Sequence, residues 1–296
     1  RTKDFRIALS LAMDRDSINE VAFTGFGVPQ NWVPHPRSPY YPGDEWRTLN
    51  AIPQDLAKAT SLMEKIGYKK NADGFFDRLD GTGVLELTYP AEGAGPGNGQ
   101  VVALEARDWE RLGIKMKLTP TGSRGAWDKA EFYLGDPYYN HYGHSPWWTG
   151  WDAGWPMYSN GPVPCAGQYY FTGGEEGCAP SGPDPAITDA YGNVAPAGTY
   201  PQDISGVLKL QQDLLREGSA ISFFDPRRKE VGQELFKTNI EHMFLLNAVS
   251  FAPFGIVIWR TNVRNEPRFS VGSYGATHVH YFEDGIDNVN HPGNRS

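Results

Sequence analysis

The sequence predicts an α/β fold built around a βαβ core. Residues 84–89 have the composition of a strand, and residues 114–118 alternate between apolar side chains and lysine. Between them, residues 100–112 repeat apolar side chains at helical spacing, and Gly113 follows as a terminator. Because the joints are short, the two strands are expected to be parallel, with a right-handed crossover through the helix.

Two helical patterns and a long loop precede this core. Residues 5–13 are amphipathic and predict a helix. Asp16 is predicted to cap a second helix that runs through Val21. Residues 24–47 are rich in proline and are expected to form a loop wrapped over a surface.

The remaining elements follow from the same periodicities. Residues 53–66 predict a helix with Pro53 in its first turn and Gly67 just beyond its end. Residues 71–76 are typical of a hairpin turn. After the core, the patterns predict helices at 124–134, 203–217 and 226–242, and strands at 244–251 and 254–259.

Composition and charge exclude several classes of protein. The chain has 296 residues, of which 40% are hydrophobic and 21% charged, as in folded globular proteins. Its formal charge of −8 argues against nucleic acid or an anionic membrane as a partner. No window has the roughly 18 consecutive apolar residues of a membrane span. The charged start is not a signal peptide, so the chain is expected to be a piece of a longer protein.

An aromatic segment carries the strongest functional signal. Residues 135–202 lack periodicity and are rich in glycine, proline, tyrosine and tryptophan. Flat apolar rings with one polar edge suit a ligand that is part apolar and part hydroxylated, such as a pyranose ring or a peptide side chain. The same rings would also serve as a small core that anchors the loop. The predicted ligand-contacting aromatics are Trp147, Trp148, Trp151 and Trp155.

Three polar residues are candidates for orienting such a ligand. Asp152 and Asn160 lie in or beside the tryptophan cluster, and Arg124 precedes it. Charged groups of this kind make directional, charge-assisted hydrogen bonds. A surface salt bridge or a turn cap is the alternative role for each of them.

The two cysteines predict a disulfide rather than a metal site. Cys165 and Cys178 would close a short loop in an oxidising compartment, the alternative being two unrelated thiols. A zinc site would need further ligands that are absent nearby. The segment 71–77 lacks the Glu of a calcium loop, and His141 with His144 lacks a third ligand. No metal or other cofactor is therefore expected.

Five segments, in order, resemble the C-terminal half of the family 5 extracellular solute-binding proteins, the receptors of ABC importers for oligopeptides and, in some branches, oligosaccharides. The first two are helical, Phe-Arg-Ile-Ala-Leu-Ser-Leu-Ala-Met-Asp-Arg-Asp at 5–16 and Asp-Leu-Ala-Lys-Ala-Thr-Ser-Leu-Met-Glu-Lys-Ile-Gly-Tyr at 55–68. A hairpin at 74–85 and the helix end Ala-Arg-Asp-Trp-Glu-Arg-Leu-Gly-Ile at 106–114 follow. The last is Gly-Trp-Asp-Ala-Gly-Trp-Pro at 150–156, which is similar to the family's ligand segment.

The resemblance implies a periplasmic-binding-protein-like second lobe, with a βαβ core and long aromatic-rich loops. Residues 1–260 would form this lobe, and residues 261–296 would return to the first lobe, most of which is absent. The implied function is capture of an oligomeric solute between two lobes, for delivery to a membrane permease. The implied receptor is a monomer in the periplasm or outside the cell. Whether its missing N-terminus carries a lipid anchor is left open.

One departure from the family pattern bears on the ligand. Peptide-binding members carry an Asp that receives the α-ammonium group of the peptide, and the ungapped equivalent here is Gly154, followed by Trp155. Loss of that carboxylate favours an uncharged, stackable oligosaccharide over an oligopeptide or dipeptide. Asp152 could substitute if the register shifts. A carbohydrate-active hydrolase is the alternative from another class, since aromatic platforms also line sugar-cleaving clefts.

Overall fold

The computed structural model describes residues 3–34, 36, 38–90, 98–119, 207–222, 224–250, 263–264 and 281–282. The predicted helix at 124–134 and the predicted strand at 254–259 lie outside these residues. The helices are α1 (Lys3–Ala12), α2 (Arg15–Phe23), α3 (Glu45–Thr48), α4 (Leu56–Lys65), α5 (Asn98–Leu112), α6 (Val207–Ala220) and α7 (Pro226–His242). The strands are β1 (Val28–Pro29), β2 (Glu86–Pro90), β3 (Lys115–Thr119), β4 (Val249–Ser250), β5 (Val263–Arg264) and β6 (Tyr281–Phe282).

The predicted βαβ core is confirmed. Strands β2 and β3 pair in parallel from Glu86 opposite Lys115 to Pro90 opposite Thr119, and α5 connects them. One face of α5 is buried, and Gly113 takes the positive φ that ends the helix before β3. Side chains at helical spacing thus cover the sheet, as the apolar pattern requires.

The second helix begins two residues earlier than predicted. Asp14, not Asp16, is its N-cap, and the Asp14 carboxylate accepts a hydrogen bond from the Ser17 amide at 3.0 Å. Asp16 lies in the first turn, where its negative charge interacts favourably with the positive end of the helix dipole. Either of two aspartates so close together could cap the helix, so the sequence alone does not distinguish them. The backbone geometry decides which one is the cap.

The helix predicted at 53–66 is shorter at its start. Asp55 caps it by accepting from the Lys58 amide at 2.8 Å, so Pro53 lies before the helix and not in its first turn. Gly67 does follow the helix with φ +101°, as predicted. The hairpin at 71–76 is confirmed by antiparallel bridges, Lys70 to Phe76 among them.

The proline-rich loop contains two short elements that the sequence did not indicate. Strand β1 pairs antiparallel with β4, and α3 forms one turn near the end of the loop. Gln233 of α7 donates to the carbonyls of Pro39 and Tyr41, which fastens the loop over that helix. The expectation of a loop wrapped over a surface is therefore correct for most of its length.

Helices α6 and α7 correspond to the patterns at 203–217 and 226–242, but the strand predicted at 244–251 is wrong for most of its length. Only β4, at Val249–Ser250, is a strand. Met243 ends α7 in the left-handed conformation, and side chains of Arg6 and Arg15 bind the carbonyls of Met243 and Asn247. These carbonyls are therefore engaged by arginines instead of a neighbouring strand.

Among the described residues, buried apolar side chains form two clusters. The first core cluster joins α1, α2, α4, β2, α5 and the start of β3, together with Met243, Ala248 and Val249. The second core cluster joins α6 and α7 to the proline-rich loop. Its buried members are Trp32, Tyr40, Leu214, Leu215, Val231, Leu235, Phe236 and Leu245.

Gly27 lies where α2 and the β1–β4 pair pack closely together. An added Cβ there would lie 2.2 Å from Cγ1 of Val249 and 2.8 Å from Oδ1 of Asn19. We expect Gly27→Ala to lower the free energy of unfolding by about 1–3 kcal/mol, because this part of the core must shift. The control is Gly99→Ala in α5, where a Cβ meets nothing within 4 Å. Urea unfolding measures both variants, and an unchanged midpoint for Gly27→Ala would contradict this packing.

Candidate ligand-binding site

The carboxyl edge of the parallel pair is where the candidate site begins. Strands β2 and β3 run in the same direction, so Pro90 and Thr119 end them at one edge. In open α/β sheets, ligands bind outside the carboxyl ends of the strands. The segment that contains the predicted site starts directly after Thr119. The chain therefore leaves β3 at the edge where binding chemistry is expected.

Every ligand-contacting residue predicted from the sequence belongs to residues 120–206, outside the part of the chain that the structure describes. The predicted disulfide lies there as well, so both remain predictions. Arg124 follows the end of β3 by five residues, which limits its Cα to about 17 Å from that strand end. The residues concerned are Arg124, Trp147, Trp148, Trp151, Asp152, Trp155, Asn160, Cys165 and Cys178.

The other end of this segment continues into α6. Gln211, Leu214 and Leu215 are buried on one side of that helix, at the spacing of successive turns. The leucines pack in the second core cluster, whereas β3 starts from the first. The two ends of residues 120–206 are therefore anchored in different clusters.

A buried arginine connects three parts of the chain. Arg15 is 2% exposed, and its Nε donates to the carbonyl of Asn247 at 2.9 Å. Its Nη1 donates to the carbonyls of Ser10 at 2.6 Å and Ala51 at 2.8 Å, and its Nη2 reaches the Ser10 hydroxyl. One planar group thus joins α1, the segment between α3 and α4, and the connection after α7 (residues 243–248).

The charge of Arg15 is balanced inside the protein. Burial lowers the pKa of this guanidinium to about 10, and the negative charge of Glu105 opposes that shift. The group therefore remains protonated at neutral pH. Because a buried charge is costly unless it is hydrogen-bonded, the four acceptors around Arg15 are part of what makes its position tolerable.

Asp108 joins the turn between α1 and α2 to α5. Its side chain is fully buried, and it accepts from the backbone amide of Asp14 at 2.7 Å. Arg107 donates to the same carboxylate at 2.8 Å. The sequence analysis did not assign a role to Asp108 or Arg15. Their signal was available, since Asp108 directly precedes the apolar Trp109 and Arg15 lies at helical spacing from the apolar Ile18.

The described residues contain neither a cluster of metal ligands nor a membrane-spanning helix. No group of three histidine, cysteine, aspartate or glutamate side chains there is arranged to hold a metal ion. Among those same residues, no helix is both long enough and apolar enough to cross a membrane.

The comparisons with known proteins decide the family. The family model described as bacterial extracellular solute-binding proteins, family 5 middle, matches residues 1–168. The chain belongs to this family. The match takes in α1 to β3 and the predicted ligand segment, so the family 5 assignment extends across the carboxyl edge described above.

Solved structures agree with the family 5 fold. An oligopeptide-binding protein OppA has a TM-score of 0.63 at 21% identity, covering 92% of this chain and 41% of its own. NikA from Brucella suis, solved in complex with Fe(III)-EDTA, has a TM-score of 0.51 at 15% identity, covering 84% of this chain and 42% of its own. AppA from Bacillus subtilis, in complex with a nonapeptide, has a TM-score of 0.50 at 15% identity, covering 90% and 44%.

The similarity has clear bounds. No curated protein sequence matches this chain at the threshold applied. The chain spans about two fifths of the length of the solved structures that it matches. At these identities the structural likeness establishes the fold, and the ligands differ among the proteins compared.

Proposed function

We propose that this chain is the second lobe of the substrate-binding component of an ABC importer, and that it captures an oligomeric solute for transport. The observation that carries the proposal is the parallel β2–β3 pair, whose carboxyl edge leads into an aromatic segment within a family 5 chain. Closure of two lobes around a ligand is a recurrent mechanism of periplasmic receptors. The partners are then the solute and a membrane permease.

Residues 1–260 form this lobe in our proposal, and residues 261–296 belong to the first lobe. Strand β4 pairs with β1, and Val249 of β4 packs in the first core cluster. This supports a domain boundary after residue 250. Strands β5 and β6 pair with each other beyond that boundary. A limited proteolysis site between residues 251 and 262 is expected, because linkers are cleaved more readily than packed elements.

An oligosaccharide is the ligand class that we favour. Gly154 replaces the acidic residue of peptide-binding members, and the adjoining Trp155 offers a flat apolar face. An oligopeptide is the second candidate, and it is compatible with the structural likeness to OppA and to AppA, which was solved with a nonapeptide. The two ligand classes differ in charge, and charge can be tested directly.

Ionic strength separates the two ligand classes. We expect intrinsic tryptophan fluorescence of the full-length protein to change on titration with neutral cello-, galacto- or manno-oligosaccharides. The affinity should be nearly the same at low and high salt, because a neutral ligand has no net charge to screen. Binding of peptides alone, with loss of affinity on N-acetylation or in salt, would reject the oligosaccharide and leave the peptide receptor.

The chain is proposed to bind without catalysis. Family 5 members are binding proteins, and a sugar hydrolase would need two carboxylates about 5–10 Å apart across the scissile bond. The acidic residues near the aromatic cluster are outside the described part of the chain, so no such pair is defined. They are Asp136, Asp152, Glu175 and Glu176.

A periplasmic or extracellular location accompanies this function, as it does for the family. In that oxidising environment we propose that Cys165 and Cys178 form a disulfide. Closing a loop of this size stabilises a protein by about 3 kcal/mol in the chain-entropy account. Mass spectrometry of non-reduced, alkylated protein is expected to find neither thiol modified, and alkylation of both would contradict the bond.

A further inference from the structure

The two core clusters hold opposite ends of the candidate ligand segment. Residues 120–206 start after β3, and Ile114, directly before that strand, packs in the first core cluster. They end at α6, where Leu214 and Leu215 pack in the second core cluster. The spacing of the two anchor points therefore depends on how the clusters are held relative to each other.

Arg6 of α1 binds the end of α7. Its Nε donates to the carbonyls of His242 at 3.0 Å and Met243 at 3.1 Å, and its Nη2 donates to His242 at 2.8 Å. The same guanidinium lies 5.0 Å from the centre of the Phe244 ring. A cation at the C-terminal carbonyls of a helix is favourable, because these carbonyls form the negative end of the helix dipole.

Arg15 makes the second attachment. It binds the chain at a point five residues beyond His242. It joins the carbonyl of Asn247 to those of Ser10 and Ala51. The Asn247 side chain in turn donates to the carbonyl of Gln30 at 2.8 Å and to the Ser250 hydroxyl at 2.9 Å. Hydrogen bonds to the backbone of Asn247 and from its side chain thus hold the connection after α7 in place.

The connection itself belongs to both clusters. Met243, Ala248 and Val249 pack in the first core cluster, while Leu245 packs in the second. Helix α7 packs along α6 and meets α1 near its own C-terminal end, where Arg6 binds. The two arginines therefore act at the joint between the clusters.

We propose that Arg6 and Arg15 are positioning residues, which fix α6 and α7 relative to the βαβ core and so set the spacing of the two ends of residues 120–206. The proposal rests on the proposed function only in its consequence for ligand affinity. Its structural part, a fixed relation between the clusters, is independent of any ligand. Removing either attachment should loosen the joint and leave each helix intact.

The structural part is tested by distances between spin labels. Labels are placed at Glu64→Cys on α4 and Lys229→Cys on α7, with Cys165 and Cys178 replaced by serine. In Arg6→Gln the width of the distance distribution is expected to grow about twofold, as local attachments are lost without global unfolding. The control is Arg227→Gln, an exposed arginine of α7 paired with Glu217 and Glu230, which should leave the distribution unchanged.

Ligand affinity is the second measurement, made on the full-length protein with the same oligosaccharide and peptide panel. If about a tenth of the Arg6→Gln molecules keep the productive spacing, the apparent Kd rises about tenfold. Arg15→Lys is a second variant that keeps the charge but loses the planar fork, and it should act in the same direction.

The outcomes separate the two proposals. Unchanged label distances in both Arg6→Gln and Arg15→Lys would overturn the positioning role. Broader distances in a protein that binds neither ligand class would support the positioning role and reject the proposed function. Binding that is weakened by Trp151→Ala but not by Arg6→Gln would retain the function and overturn the link between the joint and the ligand.

Discussion

Replacing Arg15 with methionine is expected to lower the free energy of unfolding by about 3–5 kcal/mol, as is usual when one partner of a buried charged network is removed. The carbonyls of Ser10, Ala51 and Asn247 would lose their donor in a region closed to water. Glu105, 2% exposed, would lose its favourable electrostatic interaction with the nearby guanidinium. Urea unfolding at neutral pH measures the change.

The matched control for Arg15 is an arginine on the surface. Arg227→Met removes exposed ion pairs to Glu217 and Glu230, which are worth about 0–1 kcal/mol. If the two substitutions cost the same, the hydrogen bonds of Arg15 are not a major contributor to stability. Arg15→Lys should lie between them, because an ammonium keeps the charge but does not reproduce the guanidinium geometry.

Removing the ring of Trp151 or Trp155 is expected to weaken ligand binding by the full-length protein more than tenfold. Truncating a buried aromatic that contacts a ligand commonly costs about 2 kcal/mol or more, and each 1.4 kcal/mol is a factor of ten in affinity. Isothermal titration calorimetry with the ligand found by the fluorescence panel provides the measurement.

Trp46 is the control for these two tryptophans. It lies in α3, where the ammonium of Lys237 is 5.9 Å from its ring centre, in a part of the fold not predicted to bind ligand. Trp46→Ala should leave ligand affinity within about twofold, even if it lowers stability. Equal affinity in the wild type, Trp151→Ala and Trp155→Ala would mean that the aromatic cluster only anchors its loop.

The elements of the fold could be predicted where one face of a segment is buried. In α5 the apolar side chains recur at helical spacing, and β3 alternates, so hydrophobic burial and hydrogen bonding favour the same structure. Helix starts were less predictable. Asp14 and Asp16 can each cap a helix, and the choice is made by the turn that Asp108 fixes through the Asp14 amide.

Residues 244–248 show why tertiary contacts override a local pattern. Their apolar run is typical of a strand, yet Arg6 and Arg15 take carbonyls at Met243 and Asn247. Such pairings join residues more than 200 positions apart, and no local periodicity contains them. The same limit applies to the candidate site, since composition identifies the tryptophans but not the directions of their rings.

The most direct test of non-catalytic solute capture is a titration in which the ligand is recovered afterwards. The full-length protein is titrated with the oligosaccharide panel, and the mixture is then separated by chromatography. We predict saturable binding with the oligosaccharide recovered at its original length. Shorter products whose formation is abolished by replacing Asp152 or Glu175 would contradict capture and establish a hydrolase. Absence of binding by both the oligosaccharides and a peptide panel would contradict solute capture altogether.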